Sequence, residues 1–150
     1  MKEQQKIEKD LYVMVVSDDG NIVAEYCREL ALVGFSVLPF NQHTLASIIS
    51  DGEKIDDIST LDKVAVVVID QKKVDDPGLK TSIRKLFLEY RSNPTDPEFL
   101  KTSYRKYDAV QKTHHPLPED QIGKPVLLEE FHGKVLNAFE RYKAKTQTQL

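Results

Sequence analysis

The sequence predicts a three-layer α/β sandwich built on a parallel sheet, and three observations carry that prediction. The first is the run Val64-Ala65-Val66-Val67-Val68-Ile69-Asp70. A run of β-branched residues with no polar alternation reads as a strand buried on both faces, the habit of a central strand in a parallel sheet. The second is the run Leu11-Tyr12-Val13-Met14-Val15-Val16, which ends the same way, in Ser17-Asp18-Asp19. The third is that segments with helical apolar spacing alternate with these runs. In open parallel sheets ligands and chemistry collect at the carboxyl ends of the strands. Two buried strands that each deliver carboxylates to that rim imply a small acidic pocket suited to a divalent cation.

Size and composition bound the rest. With 150 residues and 40% hydrophobic content, the chain is one domain with room for a real core. Its net charge of −3, with acids and bases interspersed, argues against nucleic acid as the main partner, because phosphate binding wants a basic surface. No apolar stretch approaches the roughly 20 residues of a membrane helix, and Met1-Lys2-Glu3-Gln4-Gln5-Lys6 has no apolar core of a signal peptide behind it. The single cysteine, Cys27, excludes an intramolecular disulfide and a cysteine zinc site and points to a reducing cytoplasm. Cys27 lies on an apolar helix face and reads as core.

The elements follow in order. Residues 1–9 are charged and read as a flexible extension; residues 10–144 form the single domain; 145–150 is a polar tail. After the first strand, Asp19-Gly20-Asn21 is a turn in which Asp19 or Asn21 can cap a helix. Val23, Tyr26, Cys27, Leu30 and Ala31 recur at helical spacing, and Gly34 suits the left-handed position that ends the helix. Phe35–Phe40 is a short strand, placed at an edge because Pro39 lacks a ladder donor. Thr44–Ser50 reads as a short helix, and residues 53–63 as polar and irregular with room for one helical turn. Beyond the buried strand and the loop Gln71–Asp76, Pro77 suits the first turn of a helix striped by Ile83, Leu86, Phe87 and Tyr90. Asn93-Pro94-Thr95-Asp96-Pro97 breaks it. Phe99-Leu100 is the candidate for a fourth strand, short and weak. Tyr104–Gln111 is given as helical and His114–Pro118 as extended or loop. Gln121-Ile122-Gly123 leads to Lys124-Pro125, and a last helix runs from about Leu127 to Lys143 with Leu128, Phe131, Val135, Ala138, Phe139 and Tyr142 inward.

Right-handed crossovers make this order a doubly wound sheet. A flavodoxin-like strand order, 2-1-3-4-5, would bring the first and third strands together at the switch point and gather Asp18, Asp19 and Asp70 in one site.

These residues resemble a response-regulator receiver domain of the chemotaxis-regulator type. Val13–Ile22 resembles the family's first strand and acidic pair, and Gly34-Phe35-Ser36-Val37 its entry to strand two. Val68-Ile69-Asp70, followed by Gly78-Leu79, resembles the phosphoacceptor strand and the loop opening the third helix. Lys124–Phe131 resembles the lysine-proline signature and the start of the last helix. Thr102-Ser103 falls where the switch hydroxyl would lie. The resemblance implies Asp70 as phosphoacceptor, Thr102 and Lys124 as its catalytic companions, and Mg²⁺ held by Asp18, Asp19, Asp70 and the Lys72 carbonyl. It also implies a histidine kinase or phosphotransfer protein as donor, in a cytoplasmic phosphorelay.

Departures from the pattern are as informative. Ser17 stands where the first acid of the pair is expected. Lys72-Lys73 replaces apolar residues usual after the acceptor, and residues 50–63 are longer than usual. Lys112, at the end of Tyr107-Asp108-Ala109-Val110-Gln111-Lys112, is a rival to Lys124 if that segment is the last strand. His114-His115 point apart in a strand and have no ligand at metal spacing, so they read as loop; His43 and His132 are isolated. Arg84, Lys85, Arg91, Lys101, Arg105 and Lys106 are locally basic and read as a solvated face. Tyr90, Tyr104 and Tyr107 fit a partner surface or ordinary packing equally.

Asp can accept a phosphoryl group, and such transfer needs a cation clamp on the phosphoryl oxygens more than it needs an acid or base. The expected function is therefore a stand-alone signalling protein, not an enzyme, that switches a protein-binding surface. The chain has no room for a DNA-binding output domain, so output is a downstream protein; a homodimer stays open. The alternative is a pseudo-receiver, an interaction module independent of phosphorylation. A flavodoxin-like enzyme or nucleotide binder is disfavoured, because neither strand-to-helix turn has a glycine loop to cradle phosphate.

Overall fold

The computed structural model describes residues 10–17, 19–41, 58–70, 78–104, 107–114, 117–124 and 126–148. The β-branched runs form what their composition dictates. Strand β1 (Tyr12–Ser17) and strand β3 (Val64–Asp70) lie side by side and parallel in the middle of the sheet, and every residue of β3 is buried. Helix α1 (Gly20–Leu32) connects β1 to strand β2 (Ser36–Asn41). Asp19 caps α1, its Oδ1 accepting the Asn21 N–H at 2.9 Å. Gly34 ends the helix with φ 102°, the Gly34 N–H bonding Ala31 O and the Phe35 N–H bonding Leu30 O. This doubled closure needs a left-handed residue, which only glycine adopts without strain. Pro39 pairs opposite Val15 in β2, and β2 is the sheet edge, as its missing donor requires.

One helical turn, α2 (Ile58–Leu61), precedes β3, and helix α3 (Gly78–Tyr90) follows it. Strand β4 (Glu98–Tyr104) is a full seven-residue strand rather than the short, weak one expected. The segment expected to be helical from Tyr104 is instead a small antiparallel hairpin. Its strands are β5 (Tyr107–Asp108) and β6 (Thr113–His114), with Lys112 at φ 55° in the turn. Lys112 is therefore an exposed turn residue, and the rivalry for the last strand is decided for Gln121–Lys124, strand β7. Helix α4 (Leu128–Thr148) closes the chain and runs further than expected, through most of the polar tail. The expected helix at Thr44–Ser50 lies outside the described residues.

The five main strands are ordered β2-β1-β3-β4-β7, all pairs parallel. This is the doubly wound 2-1-3-4-5 order. Two apolar layers flank it. Val13, Val15, Val66, Val68, Leu100 and Ile122 face α1 and α4, where Leu30, Phe131, Phe139 and Tyr142 are buried. Met14, Val16, Val67 and Ile69 face α2 and α3, where Leu61, Ile83, Leu86 and Phe87 close the second layer.

A polar knot ties the amino-terminal end of the sheet. Arg91 donates to Leu61 O at 2.6 Å, Val64 O at 2.7 Å, Thr95 O at 2.8 Å and Tyr142 Oη at 3.2 Å, and its guanidinium lies over the Phe87 ring. Asn93 donates to the same Tyr142 oxygen at 2.9 Å, and Asp62 Oδ1 receives the Ser92 N–H. Burial lowers the Arg91 pKa, and the charges and hydrogen bond of its partners, Tyr142 first, resist that drift. Arg91 is thus a structural cation, not part of the solvated basic face read from sequence. No described helix is long and apolar enough to cross a membrane.

Candidate functional site

Side chains alternate across a strand, so residues two apart share a face. Val15 belongs to the α1/α4 layer, and Ser17 is the next residue of β1 on that face; Asp70 stands so to Val68, Thr102 to Leu100 and Lys124 to Ile122. The register sets Ser17 directly opposite Asp70. Strand periodicity alone therefore delivers a hydroxyl, a carboxylate, a second hydroxyl and an ammonium to one face at one rim.

The contacts bear this out. Lys124 Nζ lies 2.6 Å from Asp70 Oδ1, and Thr102 Oγ1 donates to the same oxygen at 2.7 Å. Ser17 Oγ donates to Asp70 Oδ2 at 3.1 Å. The Asp70 side chain is 1% exposed and that of Lys124 14%. Ser17 Oγ also accepts the Asp19 N–H at 3.1 Å. That second bond fixes direction: the hydroxyl takes the backbone proton on its lone pair, and its own hydrogen points to Asp70. A buried charge is tolerated when it is paired and hydrogen-bonded, and Asp70 is both.

The helices complete the surroundings. Tyr26, on the inner stripe of α1, packs its ring 5.1 Å from that of Phe131. Burial first, then the negative charges of Asp70 and Glu25, push the Tyr26 phenol up, so the ring stays neutral beside the site. Glu130 Oε1 accepts the Gly123 N–H at 3.1 Å and braces the strand one residue before Lys124.

Asp70, Thr102 and Lys124, named from the sequence, are thus brought together. Asp19 stands one hydroxyl away from Asp70, but one of its carboxylate oxygens is engaged in capping α1. Asp18 and Lys72 lie outside the described residues. Among the described residues no group of three His, Cys, Asp or Glu side chains could hold a metal. Sequence reasoning treated Ser17 only as a departure and missed that it grips Asp70. The available signal was its place two residues past Val15 on the same strand face. Tyr26 was read as core, and core it is, near enough to Asp70 to feel its charge.

No family model matches the chain, and no curated protein matches it. Solved structures do. A protein of Neptuniibacter caesariensis aligns with a TM-score of 0.58 at 18% identity, over 93% of this chain and 94% of that one. A response regulator receiver domain protein of Clostridium thermocellum aligns with a TM-score of 0.53 at 17% identity, over 89% and 98%. A receiver domain protein of Bacillus halodurans aligns with a TM-score of 0.50 at 17% identity, over 87% and 97%. The chain therefore has the receiver fold, nearly end to end. Fold does not by itself fix function, which has to be argued from the site.

Proposed function

We propose that the chain is a receiver-type signalling module in which Asp70 accepts a phosphoryl group and Thr102 and Lys124 turn that event into a change of a protein-binding surface. The observation that carries this reading is the convergence of Thr102 Oγ1 and Lys124 Nζ on Asp70 Oδ1 at 2.7 and 2.6 Å. A hydroxyl and a fixed ammonium beside one buried carboxylate are what an aspartyl phosphate needs. The donor is a phosphorylated histidine of a kinase or phosphotransfer protein. A carboxylate oxygen of Asp70 attacks phosphorus, the P–N bond breaks, and its electron pair stays on the imidazole nitrogen, which takes up a proton. Lys124 then leaves the carboxylate for the new phosphoryl oxygens, and Thr102 follows with its hydrogen bond. Lys124 ends β7 and Thr102 lies two residues before the end of β4, so each exchange of partner pulls on the chain that follows it.

Mg²⁺ belongs to this reading, with Asp18, Asp19, Asp70 and the Lys72 carbonyl as its expected oxygens. When bound, it would neutralise charge on the phosphoryl oxygens. Of the expected carboxylates, Asp19 and Asp70 are described, and Asp70 Oδ2 already holds the Ser17 hydroxyl. That hydroxyl favours a second reading, a module that keeps the Asp70–Lys124 pair permanently and binds its partner without phosphorylation.

Intact mass after incubation with acetyl phosphate and Mg²⁺ separates the two, with Asp70→Asn as control. A single phosphoryl adduct on the wild type, absent from the variant and abolished by chelation, supports the phosphorylated receiver. A folded wild type that gains no mass overturns it in favour of the constitutive module.

A further inference from the structure

Lys124 reaches Asp70 from the least supported place in the sheet. Strand β7 has four residues, Gln121–Lys124, pairs with β4 alone, and ends at Lys124. A short edge strand is held by a ladder on one side only, and a lysine carries its charge on a flexible stem. Even so, Lys124 Nζ lies 2.6 Å from Asp70 Oδ1. The ladder alone does not account for so fixed an ammonium.

The additional hold comes from α4. Successive peptide groups of a strand point to opposite sides, and two donors of β7 turn away from β4. The Gln121 N–H bonds Pro118 O at 3.0 Å, and the Gly123 N–H bonds Glu130 Oε1 at 3.1 Å. Lys134 Nζ donates to the same Pro118 O at 2.8 Å and to Leu117 O at 3.3 Å. Glu130 and Lys134 stand four apart and therefore share a face of α4. The helix grips β7 at both ends, through Pro118 just before the strand and directly at Gly123. Its own seat is firm, because Phe131, next to Glu130, is 0% exposed and packs on Tyr26.

Gly123 is buried, so water is not at hand to replace the carboxylate. A buried donor left without a partner costs its full desolvation. With Glu130 gone, the end of β7 has to turn outward to satisfy that N–H, and Lys124 is the next residue. Glu129, in the same turn of α4, is exposed and offers a control of equal charge.

We infer that Glu130 is a positioning residue of the site: by holding the Gly123 N–H it fixes the end of β7 and so keeps Lys124 on Asp70. That role belongs to the resting protein. A second role, keeping the ammonium within reach of the phosphoryl oxygens, rests on the receiver reading.

The test labels the full chain with trace acetic anhydride and reads each lysine by peptide mass spectrometry, with exposed Lys101 as reference. Glu130→Ala should raise labelling of Lys124 relative to Lys101 about tenfold. Glu130→Gln keeps an oxygen to accept the N–H and should stay within about twofold of wild type, as should Glu129→Ala. Buried Cys27 should stay unreactive toward a disulfide reagent in every variant, which separates a loosened strand from an opened core. With acetyl phosphate and Mg²⁺, Glu130→Ala should gain its phosphoryl group about tenfold more slowly, because a loosened ammonium meets the developing charge less well. A wild type that gains no mass overturns the receiver reading and the second role with it, while the labelling still decides the first. Unchanged Lys124 labelling in Glu130→Ala, equal labelling in Glu130→Gln, an equal rise in Glu129→Ala, or a rise accompanied by Cys27 reactivity would each overturn the inference.

Discussion

The pairing of Lys124 with Asp70 makes a quantitative claim about stability. The carboxylate is 1% exposed and the ammonium 14%, at 2.6 Å. Breaking a buried pair by removing one partner costs about 3–5 kcal/mol, chiefly because the other charge is stranded. Lys124→Met strands Asp70 with only Ser17 and Thr102 as described donors. The partial access of the site puts the cost at the low end, about 3 kcal/mol. Asp70→Asn takes the carboxylate from an ammonium on a flexible stem that can turn toward water, at about 2 kcal/mol. The double variant strands neither charge and should also cost about 2 kcal/mol, leaving a coupling of about 3 kcal/mol in the cycle. Urea unfolding followed by circular dichroism reads this directly. With a slope of about 2 kcal/mol per molar, the Lys124→Met midpoint should fall by about 1.5 M. The coupling should persist in about 0.5 M salt, because buried pairs are weakly screened. Single costs that add to within about 0.5 kcal/mol would refute the claim that these two groups form a pair in solution.

Three further outcomes follow from other contacts. Tyr142→Phe removes the hydroxyl that accepts from Arg91 and Asn93, and should cost about 1–2 kcal/mol by urea unfolding, with the fold intact. Glu98 should shape the acid limb of stability. Burial pushes its carboxyl up, but hydrogen bonds from Arg141 and Lys145 and their charges outweigh burial and hold it below its ordinary 4.5. A depressed carboxyl stabilises above its unfolded pKa and loses that contribution as pH falls through the folded value. Thermal melts of Glu98→Gln should therefore fall short of wild type at neutral pH and approach it as pH falls below 4.5. The Cys27 thiol, pushed up to about 11 by burial, should resist a disulfide reagent at pH 8 in the native protein and react once urea unfolds it.

The sequence made the sheet centre legible because β1 and β3 are buried on both faces, and only such strands read as unbroken apolar runs. β4 was underestimated for the converse reason. Leu100 and Thr102 are buried while Lys101 is exposed, so the strand alternates and its apolar content is halved. Its second face carries Phe99, packed on the second layer, then Lys101 and Ser103, a mixed pattern for which a search for apolar runs has no template. The hairpin at Tyr107–His114 was misread for a related reason. Its turn depends on Lys112 adopting φ 55°, a conformation that a lysine does not advertise as glycine or asparagine would.

The resemblance named Asp70, Thr102 and Lys124 but not the grip of Ser17, and the geometry of all four has a simpler origin. Each of Ser17, Asp70, Thr102 and Lys124 lies two residues beyond a buried apolar residue on one face of its strand. A parallel sheet with its strands in register can hardly avoid assembling them. What periodicity does not determine is the chemistry at each place, and there Ser17 is decisive. A carboxylate at that position would face Asp70 across the register with like charge and would need a cation between them. The hydroxyl, oriented by the Asp19 N–H, instead stabilises the lone carboxylate without one. The same substitution that weakens the expected cation clamp thus strengthens the resting state, in which Asp70 is held by three described donors. Ser17→Ala should accordingly loosen Asp70 and speed phosphoryl uptake from acetyl phosphate if the receiver reading holds, and Ser17→Asp should make the fold's stability depend on added Mg²⁺. Thermal melts with and without the ion check the second, and the time course of intact mass checks the first.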